Sequence, residues 1–327
     1  MKLKKIKIKR MVAVGTAILM TLSLAGCGIG SDSVKLGAAG VGGGYYAFSN
    51  AFAQIASSED EDLDFEVKAT AGSTANIRLL SDGYVDMAIA QADLVDAAYN
   101  GTGATDKKRY RGYSAVASLY TEACQIVVRA DSGIDSLDDL QGKKISVGEE
   151  ESGTQRNAEQ ILKMTGLVES LVDTVNLDYV DAANELKSGQ IDAFFCTAGI
   201  QTSVIEELSK ECDVKLIGID DKCRDRLKSV YGFYTDYTIP AGTYEGQTQD
   251  VVTLGVRAVL LARDDMDEKI VEELTGLLFE HAQDIQYSIA LTFQIDESEA
   301  VKNVTIPFHD GAKAYYQKKG IEIPAEQ

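Results

Sequence analysis

Histidine is scarce in this chain: two in 327 residues, His281 and His309. Neither falls in a spacing such as HExxH, which removes the common histidine-metal sites from consideration. There is also no CxxC pair, no GxSxG elbow and no P-loop lysine after any glycine run. Tryptophan is absent and proline occurs three times. Positive charge is scarce too. The formal net charge is −19, and six basic residues and no acids lie within residues 1–26. Without that segment the balance is −19 − 6 = −25. Such a charge disfavours nucleic acid and anionic lipid surfaces.

What is present begins with a leader. MKLKKIKIKR is a basic head, and MVAVGTAILMTLSLA is an apolar run too short for a comfortable membrane span. The run ends in Leu24-Ala25-Gly26-Cys27, which resembles a bacterial lipobox. We expect residues 1–26 to be a lipoprotein signal peptide, Cys27 to carry the lipid, and residues 27–33 to be a flexible tether. The alternative is an N-terminal anchor helix or cleavage elsewhere. Beyond Cys27, four cysteines remain: Cys124, Cys196, Cys212 and Cys223. An exported chain permits disulfides. Cys212–Cys223 is the simplest pairing by proximity, and buried free thiols are the other reading.

The chain is organised around Leu36–Ile55, LGAAGVGGGYYAFSNAFAQI. A short apolar strand enters a glycine cluster, and an amphipathic helix leaves it. A helix start offers unpaired N–H groups and the positive end of its dipole, the outline of an anion site. Two further loops repeat the arrangement, Gly72–Asn76 and Gly148–Thr154, each between a strand end and a helix start. In open parallel sheets ligands bind at that edge. One such loop alone is most simply a tight turn with an N-cap; three in equivalent places point to a shared site. GGGYYA also fits the dinucleotide fingerprint, but the next strand ends in Ala69-Thr70 rather than an acid. No cofactor is expected.

Strands and helices alternate throughout, which predicts α/β architecture with mostly parallel sheets covered on both faces. The pattern places strands at Val34–Ala39, Leu63–Thr70, Asp86–Ala90, Ala115–Tyr120, Gln125–Arg129, Lys144–Val147, Val175–Tyr179, Ile191–Phe195, Val214–Ile219 and Thr253–Ala262. It also places one long amphipathic helix at Glu268–Tyr287, with His281 on its apolar face. An internal echo links Leu79–Ile89 to Glu185–Phe195: in both, a helix ends at a glycine, then Val or Ile and Asp lead into an apolar strand. It implies two units of similar topology, with strand ends Gln91 and Thr197 facing a cleft. Tyr45, Tyr46 and Tyr120 suit a cleft rim or the core. Arg78, Arg129 and Arg156 are the cations nearest the loops, and Glu149–Glu151 is a candidate partner for Arg156.

At these loops the chain resembles the TAXI family, the TRAP-associated extracytoplasmic solute-binding proteins. The resemblance is carried by GAAGVGGGYYAFSNAFA, GSTANIRLLSDGYVDMAIAQAD, LYTEACQIVVRADSGIDSLDDLQGKKISVGEEESGTQ, TIPAGTYEGQTQDVVTLGVRAVLLAR and IPFHDGAKAYY. It implies a two-lobed type II periplasmic-binding fold, joined by a two-segment hinge near Tyr120–Gln125 and Val252–Val256. Lobe I would hold 34–123 and 256–327, and lobe II 124–255. The implied function is extracytoplasmic capture of a small carboxylate, such as glutamate, glutamine or a related dicarboxylate, for delivery to a TRAP-type membrane permease. The protein would be a lipid-anchored monomer and not an enzyme. The alternatives are an exported sensor or a small-acid-processing enzyme on the same fold. The resemblance places Gly43, Gly44, Tyr45, Tyr46, Ser73, Asn76, Gln91, Ser152, Gly153 and Thr154 in the site; the residues themselves add Tyr120 and Thr197. Cys124 and Cys196 depart from the family pattern, which more often has proline or small residues there.

Overall fold

The computed structural model describes residues 33–103, 107–168, 170–289 and 295–324. The expected signal peptide, lipidated Cys27 and most of the tether lie outside the described residues.

Two βαβαβ runs make the frame. The first is β1 (Val34–Gly37), α1 (Gly44–Glu59), β2 (Phe65–Lys68), α2 (Ser73–Ser81) and β3 (Met87–Gln91), followed by α3 (Ala92–Asn100). The long strand β4 (Tyr113–Arg129) then leads to the second run. That run is β5 (Lys144–Ser146), α4 (Gly153–Thr165), β6 (Asp173–Val175), α5 (Tyr179–Ser188) and β7 (Ala193–Ala198). After it come α6 (Ser203–Glu211), β8 (Val214–Leu216), α7 (Asp221–Val230) and β9 (Thr235–Ile239). The chain returns through β10 (Val251–Arg263) and ends in α8 (Glu268–Glu280), α9 (Ala282–Ser288) and α10 (Asp310–Lys319).

The strands form one mixed sheet in the order β2-β1-β3-β10-β4-β7-β5-β6, with β8 on β4 and β9 on β10. Within each run the pairing is parallel; β10 and β4 join the runs with antiparallel pairs. The two runs therefore lie at opposite ends of the sheet in mirrored order, and we refer to them as the first and second halves. Apolar side chains collect accordingly. One buried cluster draws on Leu36, Phe48, Phe52, Ile89, Tyr120, Leu260 and the C-terminal helices. Two others draw on Ile126, Ile145, Ile161 and Phe195, and on Val127, Leu186, Phe194 and Ile205. Together they bury large aliphatic and aromatic surfaces on both faces of the sheet, the main driving force of the fold.

The echo in the sequence is a repeated tie. Asp86 Oδ2 accepts from the backbone N–H of Lys35 at 2.9 Å, and Asp192 Oδ2 accepts from that of Lys144 at 2.9 Å. Each aspartate thus fixes the start of the neighbouring parallel strand. Gly83 and Gly189, which precede them, have φ of 74° and 73°.

Several elements differ from the sequence pattern. Ala115–Tyr120 and Gln125–Arg129 are one continuous strand, because the polar stretch Thr121-Glu122 stays extended and paired to Arg257 and Val256 of β10. The strand expected at Val175–Tyr179 instead ends at Val175, the last residue of β6. Asp178 accepts from the Asp181 N–H and so starts α5, turning Tyr179 into a helix. The long C-terminal helix is broken at His281, whose φ of −108° ends α8. His281 then sits at a rim, Nδ1 3.1 Å from Asp284, rather than on an apolar face. The four described cysteines are free thiols; Cys124, Cys196 and Cys223 are buried.

Candidate functional site

Four helix starts converge at the junction of the halves: those of α1 and α2 from the first, and of α4 and α5 from the second. Between them lies a narrow pocket with a cavity volume of about 30 Å³. Its walls include Gly43, Gly44 and Tyr45 at α1, Gly72 and Ser73 at α2, Ser152, Gly153 and Thr154 at α4, and Asp178 and Tyr179 at α5. Gln91 and Thr197, the ends of β3 and β7, line it too, as does Glu122 on β4.

Backbone conformation brings the halves close. Gly72 has φ of 123°, a region closed to most L-residues, and a Cβ there would lie 3.5 Å from Ser152 Cα. Gly153 is tighter still: a Cβ would lie 2.5 Å from the Gln91 side chain. The α2 start is filled from across the junction, since the Glu151 carbonyl accepts from Thr74 N at 3.1 Å and Ala75 N at 3.2 Å. Glu151 itself adopts φ of 66°. Its carboxylate pairs with Arg78 through both oxygens, at 3.2 and 2.7 Å. Arg78, not Arg156, is therefore the partner of the acidic loop; Arg156 lies 3.9 Å from Glu159. Ser203 Oγ adds a bond to the Gly42 carbonyl at 3.1 Å.

The helix starts differ in how they are satisfied. Ser152 Oγ accepts from Gln155 N, and Asp178 caps α5. Gly43 and Gly72 provide no side-chain cap. With α2 occupied by the Glu151 carbonyl, the α1 start is the one left without a side-chain cap or a carbonyl from the other half.

Several expected ligand residues hold the pocket in shape. The Asn76 amide donates to Ala38 O at 2.5 Å and Ile89 O at 2.8 Å and accepts from Thr70 at 2.7 Å. It joins β1 to β3 and lies outside the lining. Thr154 Oγ1 is 2.6 Å from the Tyr179 hydroxyl and accepts from Thr197 N at 3.2 Å, while Tyr179 donates to Thr197 O at 3.1 Å. Ser73 Oγ accepts from Gln91 N at 3.1 Å. Tyr120 is buried beside the site, and its hydroxyl would be 3.2 Å from a Cβ on Gly44. Tyr46 is half-buried on α1 and outside the lining.

Sequence reasoning missed Glu122, Glu149, Asp178 and Tyr179. Glu122 is only 2% exposed, and Tyr45 donates to its Oε2 at 2.6 Å. Burial pushes its carboxyl up to about 8; the bonds from Tyr45 and Gln91 oppose that rise, and Asp93 adds to it. Burial and the nearby Glu122 also push the Tyr45 hydroxyl well above its usual value. Burial and Asp178 raise Glu149. The one carboxylate within the run Tyr113–Arg129 was the available signal for Glu122.

Comparison with solved structures follows this geometry. MatC from Rhodopseudomonas palustris with bound malate is 14% identical, covering 82% of this chain and 91% of that one, with a TM-score of 0.57. A protein of Bordetella bronchiseptica RB50 is 16% identical over 88% and 98%, also at 0.57. The alkanesulfonate-binding protein SsuA from Xanthomonas axonopodis pv. citri bound to MOPS is 14% identical over 79% and 78%, at 0.48. At these identities the likeness is one of fold, and the fold is the type II periplasmic-binding-protein fold. Residues 36–320 match the model of the NMT1-like family, and the chain belongs to that family.

Proposed function

We propose that this protein is an extracytoplasmic solute-binding receptor that holds a small carboxylate between its two halves and passes it to a membrane permease. The observation that carries the reading is the convergence of four helix starts, two from each half, on one pocket. Backbone N–H groups at the open α1 start bind a carboxylate through preorganised donors rather than a fixed cation. The halves act as the lobes 34–123 plus 256–327 and 124–255, and β4 and β10 are the two segments that flex between them. Closure excludes water and strengthens every polar contact inside.

The TAXI resemblance favours a TRAP-type permease as partner and glutamate, glutamine or a related dicarboxylate as solute. A fold neighbour with bound malate is consistent with a small organic acid. The basic head, apolar run and Cys27 of the sequence favour a receptor held by lipid on the outer side of a bacterial membrane. The TAXI resemblance and the solute-binding fold favour capture without turnover.

The test uses soluble protein beginning at Gly28. Mass spectrometry identifies what co-purifies, and calorimetry with a solute panel measures affinity beside a product assay. Saturable binding with no product is expected. Product formation, or a pocket that takes up no small organic acid of any kind, would overturn the reading.

A further inference from the structure

The pocket poses a charge problem. Its lining contains three carboxylates, Glu122, Glu149 and Asp178, and among the described residues no lysine, arginine or histidine. A solute with two negative groups meets this wall at a disadvantage, whatever the helix starts contribute. Glu122 is buried, bonded by the Tyr45 hydroxyl and by Gln91, with no ion pair among the described residues. Beside it, Gln91 is 2% exposed. Its Nε2 donates to Asn157 Oδ1 at 3.0 Å, and its Oε1 is buried without a hydrogen-bond partner. An amide oxygen left bare in a buried pocket wall is costly, and so is a buried acid with no counter-ion, which therefore keeps its proton in the empty pocket. What neither group has is a charged N–H donor.

We propose that the solute carries an ammonium group that is bound by Glu122 and Gln91 Oε1, making these two residues the specificity determinants for a zwitterionic amino acid with an uncharged side chain. The inference rests on the solute-receptor reading and narrows it. The solute carboxylate lies at the α1 start, and its ammonium group lies against β4 and the end of β3. One positive and one negative group then meet one acidic and one basic end of the site. A dicarboxylate lacking nitrogen leaves both acceptors unpaired and adds charge beside Glu149 and Asp178. The burial that raises Glu122 in the empty pocket is relieved when the ammonium arrives, so binding drives the carboxylate into its charged form.

The test is a set of matched pairs, each an amino acid and the 2-oxo acid with the same side chain, measured by calorimetry on the soluble protein. It includes glutamine, glutamate, 2-oxoglutarate and the apolar amino acids. Amino acids with neutral side chains should bind at least about tenfold tighter than their 2-oxo partners and tighter than glutamate. Glu122→Gln should weaken them by about ten- to a hundredfold and shrink the gap to the oxo acids. Equal or tighter binding of any 2-oxo acid or other dicarboxylate overturns this inference while leaving the receptor intact. Binding of no amino acid overturns it as well. The receptor reading is judged separately, by the identity of the co-purifying solute. The wild-type pairs decide the question even if Glu122→Gln folds poorly.

Discussion

The two halves share a plan and divide the labour. Both run βαβαβ with the same strand order, both place an aspartate under the first strand, and both turn into the third strand through a left-handed glycine. Their helix starts diverge. The second half caps its own with Ser152 and Asp178, while the first relies on Gly43 and Gly72. The helix that follows Gly72 donates from Thr74 and Ala75 N–H to the Glu151 carbonyl of the opposite side. The difference teaches that similar scaffolds reach different roles through their loops. One half leaves a donor surface open, and the other brings carboxylates and the clasp.

The largest effect should come from removing the close approach itself. Gly153→Val places a side chain where Gln91 already stands, at 2.5 Å for the first added carbon. Binding should become undetectable by calorimetry, with a stability loss of about 1–3 kcal/mol in chemical denaturation. Retained affinity would mean that the halves do not close around the solute.

Next in size, the paired aspartates give a direct check of the repeat. Asp86→Ala and Asp192→Ala each orphan a backbone donor, at Lys35 and Lys144. Each should lose about 1–3 kcal/mol in urea titration. Asp86 should cost more, because Arg263 also lies 3.4 Å from it. A negligible loss at one position and a full loss at the other would break the equivalence of the halves.

A pH profile sharpens the contrast at the shared floor. Facing Glu122 are Tyr45 from α1, Asp93 from α3, Tyr120 and Cys124 on β4, Tyr179 from α5 and Cys196 from β7. Burial raises every hydroxyl and thiol among them, so they stay neutral near pH 7. Asp93 is pushed up to about 6 by burial and Glu122 to about 8. Both groups hold their proton in the folded empty protein after the unfolded chain has lost it. Stability of the empty protein is therefore full below the ordinary carboxyl range and falls as pH rises toward 8. Thermal scans should show this, with a shallower slope in Glu122→Gln. Affinity for an ammonium-bearing solute should rise over the same window.

The smallest effect belongs to the clasp. Arg78 and Glu151 side chains are 38% and 40% exposed, so their pair contributes about 0.2–1 kcal/mol. Arg78→Ala should weaken binding only a few-fold, because the Glu151 carbonyl still reaches α2. A loss beyond tenfold would make the ion pair, not the backbone, the fastener.

Much of this was legible beforehand, for a physical reason. Strand–glycine–helix junctions follow from local backbone chemistry, so the loops at Gly43, Ser73 and Gly153 and the echo at Asp86 and Asp192 could be read directly. Roles set by tertiary contact could not. Asn76 has the composition of a ligand residue, but only the packing of β1 against β3 shows that it ties strands. Thr154 looks like a free hydroxyl until Tyr179 and Thr197 close on it. Glu122 looked like a break between two strands. It is an acid held inside one continuous strand, paired with Val256 of β10, and its signal was that it is the one carboxylate of that strand.

The most direct measurement is a crystal structure of the protein purified with its natural solute. The account predicts one small molecule between Gly43–Tyr45 and Ser152–Thr154, with a carboxylate at the α1 start and a nitrogen within hydrogen-bond distance of Glu122. A solute bound instead in the open groove lined by Thr74, Asp93, Arg156 and Tyr231, with the pocket at Glu122 empty, would contradict it.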